Sequence, residues 1–186
     1  MSHFDDLQRS YSKWRTAQRE YHHSSVRFVD GFARRYQAYL GAPETFVDAD
    51  SGTRIKYVTT LVAEKDNDGE FVLKKATSPF DRLYYDEDSF WVTGVGLTLD
   101  INTNAYPKTQ FTYLLRFILR AQELEVQVGP ERKSFSVKLT DTNELSPDWE
   151  SVKPVFQYMV DVLKAALAIK LWEPKEKSSI GYIEFK

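Results

Sequence analysis

The sequence predicts an α+β fold: an antiparallel meander sheet of about six strands, with N-terminal helices and a long C-terminal helix packed on it. Three observations carry this. Phe4, Leu7, Tyr11, Trp14, Tyr21, Phe28, Phe32 and Tyr39 follow an alternating three-four spacing, with Gln18, Ser25 and Arg35 at the skipped steps, which is the signature of a helical seam. After Gly41 the period drops to two and stays there to about residue 145. A second broad helical face then follows Ser146. No helix-length segment separates the successive strands, so parallel crossovers are not available and neighbouring strands must run antiparallel.

The first 40 residues stop cleanly, because Gly41 follows Leu40 and Pro43 comes two residues later. As one rod this segment would be about 55 Å long, more than the diameter of a domain of this size. Tyr21-His22-His23-Ser24-Ser25 is poor in apolar residues and supplies two capping serines, with Gly31 as a second weak point. The reading is therefore two consecutive helices, about 4–21 and 25–40. Their polar face is basic: Arg9, Lys13, Arg15, Arg19, Arg27, Arg34 and Arg35 against Asp5, Asp6, Glu20 and Asp30. Such a bias suits docking on an acidic surface, although a solvated helix face of mixed charge is the simpler account.

Residues 41–145 read as sheet. Arg54 to Val62 and Glu70 to Ala76 flank the turn Asp66-Asn67-Asp68-Gly69 and predict a hairpin. A short extended piece at Arg82 to Tyr85 precedes the acidic turn Asp86-Glu87-Asp88-Ser89. Phe90 to Ile101 has one almost wholly apolar face, at its odd positions, and two glycines, Gly94 and Gly96, on the other. Phe111 to Leu119 is apolar on its odd face and mixed on its even face, where Arg116 lies beside Leu114 and Ile118. These two strands are expected at the centre, covered in part on both sides. Leu124, Val126 and Val128, then Phe135, Val137 and Leu139, alternate with polar residues and predict a one-sided hairpin across Gly129-Pro130.

Ser146 as cap and Pro147 in the first turn predict a last helix over 146–173, lined by Trp149, Val152, Phe156, Met159 and Leu163. Residues 174–186 form a polar tail in which Ile180 to Phe185 has the pattern of a short strand, able to add to a sheet edge. With 186 residues and no sharp composition shift, the chain 1–186 reads as a single domain.

Composition excludes more than it identifies. A formal net charge of -2 argues against nucleic acid as a partner, because phosphate neutralisation needs a concentrated basic excess. The absence of cysteine removes disulfides, thiolate nucleophiles and thiolate metal sites, and makes the cytosol the expected compartment. No apolar run is long enough to span a bilayer as a helix, so no membrane association is expected. Aromatic residues make up 15% of the chain, so rings are expected to build the core and an interface.

No chemical motif stands out. His22 and His23 are adjacent, so on a helix they point about 100 degrees apart and cannot share one ion. Asp48 to Gly52 and Glu64 to Gly69 resemble calcium loops only in part: the first has its glycine one residue early, and the second has Lys75 where the bidentate glutamate belongs. Tight turns account for both. The Asp86 to Asp88 acids and Asp100 carry no catalytic signature beyond their charge. Gly94-Val95-Gly96 lies inside a strand and is not a phosphate loop; two glycines on one strand face instead permit a close approach or a bend. Arg116 and Arg120 are expected to pair with Glu123 and Glu125 on the neighbouring strand. No catalytic residue, metal or cofactor is assigned, and a non-enzymatic role is favoured over an enzymatic one.

The functional expectation is a protein-interaction module of regulatory, adaptor or immunity type, binding a protein partner or a second copy of itself. Its expected contact residues are Tyr11, Trp14, Arg15, Arg19 and Tyr21, while residues 25–40 pack on the sheet. The alternative is a carrier or sensor of an apolar small molecule, held between a curved sheet and the last helix by Gly94, Gly96, Arg116, Phe156 and Met159.

Overall fold

The computed structural model describes residues 3–48, 51–76, 78, 83–100 and 108–168, with the backbone of 183–184. Its first element is one unbroken helix, α1 (His3–Leu40), of 38 residues, not two. The serines expected to cap a second helix are buried inside the first. The Ser24 hydroxyl donates to the Asn143 carbonyl at 2.9 Å and accepts from Arg27 at 3.0 Å. Ser costs only a few tenths of a kcal/mol in a helix, and a small residue is what lets the segment 142–145 come this close. Gly31 does not break the helix either: a Cβ there would lie 3.2 Å from the Trp149 ring, so the glycine admits an indole. The C-terminal stop is as expected. Gly41 has φ 64, and the amides of Gly41 and Ala42 return to the carbonyls of Ala38 and Gln37 at 3.1 and 3.2 Å.

Strands β1 (Thr45–Val47) and β2 (Arg54–Lys56) form a small antiparallel pair. The main sheet is antiparallel throughout. It contains β3 (Val58–Lys65), β4 (Phe71–Lys75), β5 (Tyr84–Tyr85), β6 (Trp91–Leu99), β7 (Thr109–Arg120), β8 (Glu123–Val128), β9 (Lys133–Asp141), β10 (Ser146–Pro147) and β11 (Ile183–Glu184). Its main path is β10-β9-β8-β7-β6-β3-β4, with β5 beside β6 and β11 beside β7. Strand β11 falls within the stretch expected to form a terminal strand and pairs Ile183 with Phe111 in its own sheet.

The strand expected over 54–62 is divided at Tyr57, where the chain passes from the small pair to the main sheet. The Tyr57 ring packs against Phe46 at 5.0 Å, and its hydroxyl donates to Asp100 at 2.8 Å.

The last helix, α2 (Trp149–Leu167), starts later than expected. Asp148 caps it by accepting from the Glu150 amide at 3.1 Å, while Ser146 and Pro147 continue the sheet along β9. A carboxylate cap beside the helix N-terminus gains from the helix dipole as well as from the hydrogen bond. The expected end at 173, and residues 174–182 of the tail, lie outside the described residues.

Both helices cover the same face of the sheet. Trp91, Val95 and Leu97 of β6 and Phe111, Tyr113, Leu115 and Phe117 of β7 share one core with Phe28, Phe32 and Tyr36 of α1 and Val152, Phe156 and Met159 of α2. Ring contacts bind the layers: Phe28 to Phe117 at 4.9 Å, Phe32 to Phe156 at 4.9 Å, and Tyr36 to Tyr113 at 6.2 Å.

The opposite face is curled over itself. Strand β4 is two strands from β6, about 10 Å away in a flat sheet, yet the Leu73 methyls come within 2.8 Å of where a Cβ on Gly94 would sit. At Gly96 the missing side chain leaves room for Gln110 to reach across β6 to Thr59, at 3.4 Å. The two glycines therefore admit close approach of neighbouring side chains, one of the uses their position in a strand suggests. Gly94→Val should overpack this contact and destabilise the fold by about 1–3 kcal/mol, read as a lower urea midpoint at constant slope. An unchanged midpoint would refute the packing role.

Candidate functional site

The C-terminal half of α1 runs along β7 in the opposite direction, with Tyr36 near Tyr113, Phe28 near Phe117, and Tyr21 at Leu119. At Tyr21 the sheet ends, and the helix continues for about five more turns. The seam continues with it. Phe32 and Phe28 are 0% and 2% exposed, whereas Phe4, Leu7, Tyr11 and Trp14 are 66%, 67%, 60% and 57% exposed. One stripe is thus core over half its length and surface over the other half.

The expected contact residues divide at this boundary. Tyr11, Trp14, Arg15 and Arg19 all lie on the projecting half and are exposed, with the Tyr11 and Trp14 rings stacked at 6.0 Å and 25°. Tyr21 is instead docked on the body. Its hydroxyl accepts from the Leu119 amide at 3.4 Å and its ring lies 5.9 Å from Trp91; burial raises its pKa. Phe4 and Leu7, absent from the expected set, are as exposed as Tyr11. Helix length held the signal for them. A helix of 38 residues is about 57 Å long, and a domain of this chain length is roughly 40 Å across.

An aromatic cluster marks the point where the helix leaves the sheet. Trp91 receives Tyr21, the edge of His22 at 5.3 Å, and Tyr85 at 4.8 Å. Tyr85 remains 52% exposed. Burial, and then the neighbouring His23, lowers the His22 pKa, which favours the neutral ring against the indole.

The residues of the alternative ligand site are not brought together. Phe156 and Met159 lie in the core between helix and sheet, whereas Gly94, Gly96 and Arg116 lie on the opposite face, where Gly94 pairs with Leu114 and Arg116 with Val92. The helix-covered space is filled by rings. Tyr36 is fully buried there, and Tyr113 donates its hydroxyl to the Met159 carbonyl at 3.0 Å. Burial raises both tyrosine pKa values, that of Tyr113 to about 12. A depression of about 540 Å³ lined by Gln122, Glu123, Lys138 and Thr140 is open and polar-walled, unlike the apolar enclosures that hold small molecules.

Arg116 has a different role from the one its neighbours in sequence suggest. Its guanidinium is buried against Asp86, with Nε donating to Oδ2 at 3.0 Å. It also donates to Asp88 and to Gln127, each at 3.0 Å, and lies 4.6 Å from the Phe90 ring centre. Asp86 is fixed in turn by the Phe90 amide at 2.8 Å. Only Arg120 makes the expected cross-strand pair, reaching Glu125 at 3.4 Å. With both charges satisfied, this cluster reads as a clamp between the β5–β6 turn and β7.

Other candidate chemistry also resolves into structure. Asp48 and Asp66 cap their own turns by accepting from the amides of Ser51 and Asp68 at 3.1 and 3.0 Å. Among the described residues no group of three His, Cys, Asp or Glu side chains is placed to hold a metal ion, and no helix is long and apolar enough to cross a membrane. No protein-family model matches the chain, and neither a curated protein nor a solved structure matches it.

Proposed function

We propose that the protein is a non-enzymatic interaction module, regulatory or adaptor in character and acting in the cytosol, whose contact element is the projecting half of α1. The observation that supports this reading is the row Phe4, Leu7, Tyr11 and Trp14, each more than half exposed on a helix anchored at its other end. Together they expose roughly 500 Å² of mainly apolar surface, in the range that marks functional patches on soluble proteins. Arg15 and Arg19 border the row and give it a cationic rim, the pattern of ring and arginine side chains that dominates binding energy at interfaces.

The test is site-specific photo-crosslinking in the source cells, with the photoreactive residue placed at Trp14 and, as control, at the exposed Leu167. A discrete protein adduct from position 14, absent from position 167 and lost on Tyr11→Ser, is the expected result. No adduct at position 14 across growth conditions would overturn the reading.

A further inference from the structure

We infer that the occupant of the projecting helix is a second copy of this chain, paired antiparallel about a two-fold axis near residues 12 and 13. This rests on the reading of that helix as a contact element and names its partner.

The first argument is steric and excludes the parallel alternative. The exposed stripe and the buried stripe are one seam on one side of α1, so any helix seated on Phe4 to Trp14 lies in line with the sheet that covers Phe28 and Phe32. In a parallel pair both seams would face each other along their whole length. From Tyr21 onward each seam already holds its own sheet, and helices packed 8–10 Å apart leave no room for two sheets between them. An antiparallel pair places the two bodies at opposite ends.

The second argument is register. A heptad seam read antiparallel sets the first apolar position of one helix against the second of the other. The longest overlap open to the two helices before each tip meets the other body places Tyr11 opposite Trp14 of the other copy, twice, at the axis, and Leu7 opposite Gln18. Phe4 then reaches Tyr21 of the other copy, where the sheet edge stops further overlap. Tyr85, exposed beside Trp91 at that edge, is positioned to receive it.

The third argument is charge. The outer half of the projecting segment carries Asp5, Asp6 and Arg9, and the half nearer the body carries Lys13, Arg15, Arg19 and Glu20, so the outer half is net acidic and the inner half net basic. Antiparallel pairing sets the net acidic half of one copy level with the net basic half of the other, whereas parallel pairing would set like level with like. The area is sufficient as well. Covering both rows removes roughly 1,000 Å² from water, the lower bound for a specific interface, consistent with a dissociation constant on the order of micromolar.

The experiment is light scattering of the full chain from about 1 to about 100 µM, beside Tyr11→Ser/Trp14→Ser. The expected result is a dimer mass at the upper end for the unaltered chain and a monomer mass throughout for the double variant, with the same melting temperature at low concentration. Orientation is read from single nitroxide labels, which the cysteine-free sequence makes unambiguous. Labels at Ser12→Cys should lie within about 20 Å of each other, and labels at His3→Cys about 28 Å or more apart along the axis.

A monomer across the whole range, or short distances at both positions, overturns the antiparallel pair. Unfolding of the double variant instead overturns the underlying reading of the surface, because it would make these rings part of the fold. The two failures are therefore distinguishable.

Discussion

Replacing Arg116 with methionine is expected to cost about 3–5 kcal/mol, the cost of leaving a buried carboxylate without its counter-charge. The arginine and Asp86 side chains are 4% and 5% exposed, so water cannot take over the lost contact. Asp86 would keep one hydrogen bond, from the Phe90 amide, and lose the partner that balances its charge. Adding Asp86→Asn should recover half or more of the loss, because the amide oxygen still accepts from Phe90 and carries no charge. Urea denaturation of the two variants measures both numbers. A single-variant loss below about 1 kcal/mol would show that the ion pair is dispensable. A double variant no better than the single would show that shape, not charge, sets the cost.

The second large effect is a contrast along one helix. Phe32→Ala should cost about 3–5 kcal/mol, since the ring is wholly buried and packs on Phe156 at 4.9 Å. Phe4→Ala, four heptads earlier on the same stripe, should stay within about 0.5 kcal/mol when measured at a concentration low enough to keep copies apart. The pair is decisive because residue type, helix and heptad position are the same, while Phe32 is covered by the sheet and α2 and Phe4, in the first turn, stays exposed. Equal costs at the two positions would mean that the N-terminal half is held against the body in solution.

Much of this architecture was legible from periodicity. The hairpin of β8 and β9 alternates one residue in, one out, and a one-residue slip would turn Leu124 and Val126 to water, so its register is strongly determined. The seam of α1 was equally plain. What it could not reveal was continuity through Ser24 and Ser25, because the local preference of serine for caps, about 1 kcal/mol, is outweighed by burial against Asn143, 119 residues away.

The late start of α2 has the same cause in reverse: Ser146 and Asp148 both suit a cap, and pairing of Ser146 with Asp141 of β9 decides between them. Arg116 found Asp86, 30 residues distant, in place of the adjacent strand's glutamates. For the alternative ligand site, strand parity was informative. The odd face of Trp91 to Leu99 carries the bulky apolar side chains, Trp91, Val95, Leu97 and Leu99, and Arg116 lies opposite even-numbered Val92, so helical cover belongs on the odd face and Gly94, Gly96 and Arg116 face away from α2.

Strands β6 to β9 pair in the order in which they are made, whereas α1 comes first and its cover comes later. Phe28 waits for Phe117, and Tyr36 for Tyr113. At about 5–20 residues per second, the roughly 80 residues between the end of α1 and the end of β7 take about 4–16 s to synthesise. For that interval the seam from Phe4 to Tyr39, interrupted only at Gln18, Ser25 and Arg35, has no sheet to cover it. Folding then withdraws only its C-terminal half.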